Sequence, residues 1–210
     1  MKKFGFCSIL ALSMFSLSTS VSPLRAYADS IVTLQLEGVG PGNNADGYYT
    51  YPYEFSVNGS STLVAMMCVS FNNEITFGES WQATVEPITG TVDKEAAWLF
   101  NDAVNAPNST QSNEDQLAAW YLLSGNGNPA DGNNAQLADA IAFVAGNPND
   151  TSLYSDLAIY VPIDGTQSWG GTPQTFIADP PQTPEPSSLL LLGSGLLASA
   201  RVMYRRRRIA

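Results

Sequence analysis

The sequence predicts an α+β fold: a strand-rich first part containing a hairpin, central helices and a closing strand, in a single domain. Three observations carry this. An Asn-Gly pair joins two apolar, β-rich arms over residues 48–71, the spacing of apolar residues turns helical between 93 and 145, and a strand pattern returns at 157–163.

Ile31 to Leu36 alternates well enough for a first strand, and residues 38–47 form a Gly/Asn/Pro loop. Tyr48 to Val57 is aromatic and β-branched, and Asn58-Gly59 leads into Ser61 to Phe71. Asn-Gly suits the left-handed dihedrals of a type I′ turn, so this is a strong hairpin signal. A further strand pair is expected at 74–77 and 81–85. Residues 93–101 and 113–123 read as helices, the second capped by Ser112 or Asn113, with Glu114 and Asp115 in a first turn that favours negative charge. Gly125 would end it. A third helix, 135–145, carries Leu137, Ile141 and Val144 on one face, and Leu157 to Ile163 supplies the closing strand. The Pro/Gly/Thr-rich stretch that follows reads as a linker.

The two ends differ from this body. Lys2 and Lys3 precede an apolar run that ends at Ala26-Tyr27-Ala28, the small-x-small pattern of a signal-peptidase site, so residues 1–28 read as a signal peptide. The predicted divisions are therefore 1–28, a module over 29–163, a linker over 164–183 and a sorting signal over 184–210. The last begins with Pro184-Glu185-Pro186, continues through an apolar stretch from about Ser187 to Tyr204 and ends in Arg205, Arg206, Arg207 and Arg208. A hydrophobic span followed by arginines reads as a transmembrane helix with its basic tail in the cytoplasm. The order of parts resembles the PEP-CTERM sorting signal of Gram-negative bacteria. That resemblance implies transient membrane insertion, recognition by an exosortase near the Pro-Glu-Pro triplet, removal of the tail, and delivery to the cell surface or extracellular matrix.

Charge narrows the partners. Of nine basic residues, three lie in the predicted signal peptide and five in the tail, which leaves Lys94 against 19 acidic residues between Asp29 and Glu185. Such a body repels nucleic acid and anionic lipid, so no nucleic-acid partner is expected. The chain has no histidine, which removes Ser-His-Asp and Cys-His catalysis and His-ligated metal sites; no cofactor, metal or enzymatic turnover is expected.

Cys7 leaves with the signal peptide, so Cys68 is the single cysteine of the exported body. A lone thiol outside the cytoplasm is either buried, paired between chains or chemically committed. Val64, Met66, Val69 and Phe71 around it suit a core strand. The segments MCVSFNNEITFGESWQATV, KEAAWLFN and EDQLAAWYLLSG, in that order, resemble the Cys-Gln thioester-forming (TQXA-type) domain of Gram-positive surface adhesins. The resemblance spans roughly 61–162 and implies that Cys68 is the nucleophile and Gln116 the acyl donor. Trp120 would be the helix tryptophan that shields the bond, with Phe71, Phe77 or Trp98 closing the other side. An amine-bearing surface target would then capture the acyl group. Ser70 stands where the family has an acidic residue, and Asp115 where it has threonine. Two other readings remain open: a carbohydrate-binding or carboxylate-based glycan-acting module using Tyr48, Tyr49, Tyr51 and Trp169, and a calcium-stabilised module built on the Asn/Asp/Gly loops at 43–47 and 128–132.

Overall fold

The computed structural model describes residues 30–41, 43–45, 47–124, 134–163, 171–181 and 194–196. The fold is α+β: a closed six-stranded barrel with three helices packed against one side. The strands are β1 (Ser30–Val39), β4 (Tyr53–Val57), β5 (Leu63–Cys68), β6 (Ser80–Pro87), β7 (Ala158–Pro162) and β8 (Phe176–Ala178), while β2 (Asn44–Ala45) and β3 (Tyr48–Tyr49) pair separately. The barrel order is β1-β4-β5-β8-β7-β6, and every neighbouring pair is antiparallel, with β5 and β8 joined only through Met67–Ile177 and Cys68–Phe176.

The hairpin forms where the sequence places it. Asn58 and Gly59 have φ of 53° and 72°, and Ser60 N donates to Val57 O at 3.1 Å, which gives β4 and β5 a turn of matching twist. Asn58 is also tied to β1, because its Oδ1 accepts from Thr33 N at 2.9 Å. The expected first arm is nevertheless split, since Pro52 has no N–H to donate to a ladder and separates β3 from β4.

Three expectations need correction. Residues 74–77 form no strand; Glu79 N bonds back to Thr76 O and Gly78 N to Leu36 O, so they make a turn that feeds β6. The stretch 164–183, expected to be a linker, contains β8, which is fully buried and bonded to β5 and β7, so β8 and not β7 closes the barrel. Its apolar content, Phe176-Ile177-Ala178, is too short to show a period. Finally, α2 begins four residues before Asn113: the helices are α1 (Thr91–Asn105), α2 (Ser109–Ser124) and α3 (Ala135–Gly146), and Asn108 Oδ1 caps α2 by accepting from Gln111 N at 3.1 Å.

Strand alternation divides β5 between two cores. Met66 and Cys68 face the barrel interior with Leu34, Phe55, Trp81 and Phe176, whereas Met67 and Val69 face the helices with Ala97, Leu99 and Ala118. Trp120 of α2 joins the interior set, so this helix plugs one end of the barrel while its Ala118 and Ala119 pack in the interhelical core.

Candidate functional site

The strand period and the helix period meet at Cys68. It is the last residue of β5, turned inward, and α2 presents Gln116 and Trp120 to it from one face, four residues apart. Cys68 and Gln116 have zero exposure and Trp120 2%. Gln116 Nε2 donates to the Cys68 carbonyl oxygen at 2.5 Å, while Gln116 Oε1 has no hydrogen-bond partner among the described residues. A buried carbonyl without a donor costs about 1–3 kcal/mol, so this glutamine is not held there for stability alone.

Burial pushes the Cys68 thiol up to about 12, and the Trp120 indole, with the backbone and hydroxyl of Ser70, works against that rise. The thiol donates to Ser70 O at 3.5 Å. Trp120 Nε1 has no hydrogen-bond partner among the described residues. Tyr53 lies close enough that a thiolate on Cys68 would raise its phenol further; burial is the larger cause of its raised pKa. Tyr53 Oη donates instead to Tyr49 O.

Beside Gln116, on the side of α2 that faces α1, Asp115 is fully buried, with no donor to either oxygen among the described residues. Burial, then the Asp102 carboxyl and Glu114, push its pKa to about 8. Asp115 is therefore protonated at neutral pH and can donate to Asp102, which also accepts from Gln111 Nε2 at 3.0 Å.

Over the plugged end lies an open cavity of about 700 Å³, with Trp120 and Phe71 at its base and Tyr48, Tyr49 and Phe77 along its rim. Phe71 packs on Trp120 and on Tyr48 at 5.1 Å each, and Tyr49 packs edge-on against Phe77 at 5.5 Å. Trp120 and Phe71 thus stand between the Cys68 pocket and solvent.

Of the residues singled out in the sequence, Cys68, Gln116, Trp120 and Phe71 come together. Phe77 is 49% exposed at the rim, edge-on to Tyr49. Trp98 is corrected outright: it packs on Phe143 of α3 at 6.3 Å, in the interhelical core. The helix start does not lie next to Gln116 either, because α2 begins at Ser109 and the dipole effect fades within the first turn. Sequence reasoning missed Tyr53 and Gln174 at this end of the barrel; neither has a spacing signal, since β4 and the approach to β8 meet only through barrel closure. Ala26 and Ala28, the Pro184-Glu185-Pro186 triplet, the span 187–204 save 194–196, Arg205 to Arg208, Trp169 and the loop 128–132 lie outside the described residues. Among the described residues no helix is long and apolar enough to cross a membrane, and no three His, Cys, Asp or Glu side chains converge on a metal position.

Residues 182–208 match the PEP-CTERM protein-sorting motif. The motif implies export, recognition by an exosortase-type enzyme and a membrane-associated sorting step. No curated protein and no solved structure matches the chain.

Proposed function

We propose that this is an adhesive or structural protein of the cell surface or extracellular matrix whose barrel domain forms an internal thioester between Cys68 and Gln116 and attaches covalently to an amine on its target. One observation carries the reading: the carboxamide of Gln116 is buried against Cys68, its nitrogen on the Cys68 carbonyl and its oxygen without a partner. In the first step the Cys68 sulfur adds to the Gln116 carboxamide carbon, the C–N bond breaks, and the thiol proton leaves with the amide nitrogen as ammonia. In the second, the amine of a target adds to the same carbon, the C–S bond breaks, and the thiol is restored beside a new amide. Capture occurs once per molecule, which is attachment rather than turnover. Burial under Trp120 and Phe71 keeps water from the acyl carbon until a target displaces them.

The raised thiol pKa adds a signature. The thiolate is the attacking form, so bond formation in freshly folded protein rises with pH up to about 12. Intact mass of the purified chain tests the reading. A thioester lowers the mass by one ammonia, Cys68→Ala and Gln116→Ala each restore it, and methylamine adds at Gln116. Full mass, with a thiol that alkylates completely once the chain is unfolded, would leave Gln116 as a structural tie between α2 and β5 and end the proposal.

A further inference from the structure

The aromatic mouth of the barrel has a chemistry of its own, separable from the Cys68–Gln116 pair. We propose that it binds a neutral sugar unit of a glycan, lodged among Tyr48, Tyr49, Phe71, Phe77 and Trp120. Size is the first argument: about 700 Å³ falls within the range of small-molecule sites, and it is much larger than an inorganic ion or a single ammonium group requires.

The second argument is the surface the rings offer. Tyr48, Tyr49 and Phe77 keep 45%, 50% and 49% of their surface exposed, yet their edge-to-face contacts with Phe71 and with each other hold them in place. Rings that are fixed and half open present apolar faces at little further entropy cost, and the C–H face of a pyranose is a flat partner of matching size.

The third argument is the polar complement. Gln174 is 8% exposed and lines the cavity; its Nε2 is committed to Asn73 O at 2.6 Å, and its Oε1 has no partner among the described residues. That oxygen needs a donor, which a sugar hydroxyl supplies. Asn72, Asn73, Glu74 and Thr76 add further acceptors and donors on the same wall. Among the described residues no lysine or arginine lines the cavity, and Glu74 makes it negative, so phosphorylated, sulfated or uronic-acid units are disfavoured. Rings, amides, one carboxylate and no cation describe a site for a neutral polyhydroxylated ligand.

The test is run on the full chain carrying Cys68→Ala, in which no thioester can form, so its result is independent of the covalent chemistry. The protein is applied to immobilised neutral oligosaccharides, to their sulfated and uronate counterparts, and to an alkylammonium surface. Saturable binding to at least one neutral glycan is expected, and Tyr49→Ala or Phe77→Ala weakens it by about tenfold or more, as for the loss of one anchoring aromatic contact. Both side chains are half exposed, so far-UV circular dichroism of these variants is expected to match the parent. Absence of binding to every neutral glycan, stronger binding to the charged or alkylammonium surfaces, or undiminished binding by both variants each overturns the proposal.

Discussion

In the barrel interior Phe55, Trp81 and Phe176 meet at 4.7–6.3 Å with almost no exposure, whereas Tyr48, Tyr49 and Phe77 at the mouth make the same kind of ring contact with about half of each surface open. The interior rings are stabilising through burial, at about 25 cal/mol per Å² of apolar surface removed from water. The mouth rings have left much of that surface for a ligand. Between the two sets lies the Cys68–Gln116–Trp120 group, buried like the first, yet with Gln116 Oε1 and Trp120 Nε1 lacking a hydrogen-bond partner among the described residues. A molecule seeking only stability would have filled this position with apolar side chains.

That contrast can be broken at its strongest point first. Phe176→Ala opens a void where β8 closes the barrel and is expected to cost about 3–5 kcal/mol, read as a lower urea midpoint. Asp115 comes next, through pH. Its folded pKa, about 8, lies above the ordinary 3.8, so the folded chain holds a proton that the unfolded chain has released. The stability it contributes is complete below about pH 4 and is lost as pH rises through about 8, a loss on the order of a few kcal/mol. Asp115→Asn should flatten that slope in thermal melts across the same window; an unchanged slope would show that the acid is not buried against Asp102. Gln116→Ala should cost about 1–3 kcal/mol through the lost bond to Cys68 O, besides removing any mass deficit. The smallest effect belongs to the rim: Tyr49→Ala should move stability by less than about 0.5 kcal/mol, in keeping with a side chain that serves a ligand. A large loss there would make the rim part of the core and erase the comparison.

The sequence discloses local order and conceals closure. Asn58-Gly59 marks its hairpin because a turn of two left-handed residues favours that pair, and α1 and α3 show a helical period, whereas α2, apolar on more than one face, does not. β8 is invisible because three residues buried on both faces have no alternation to display, and a Gly/Pro-rich context hides them further. Cys68, Gln116, Trp120 and Phe71 were singled out by the family resemblance; spacing alone says only that Gln116 and Trp120, at i and i+4, share a helix face. Trp98 was misassigned for the complementary reason: periodicity says that a tryptophan is turned inward, and two cores, one inside the barrel and one among the helices, compete to receive it. Gln174 is brought to the mouth by the pairing of β8 with β5 across more than a hundred residues, a relation no window along the chain contains.

β8 has a further consequence for the timing of folding. Only three residues separate its last residue, Ala178, from the start of the sorting motif at 182, so the two are at most about 14 Å apart even when the chain is fully extended. A chain exported from its N-terminus can assemble most strands early, but the barrel stays an open, unsealed sheet until the segment next to the motif has emerged. The stretch that completes the domain and the stretch that is sorted are therefore neighbours in the chain, and the last barrel strand cannot be in place before the residues bordering the motif are available.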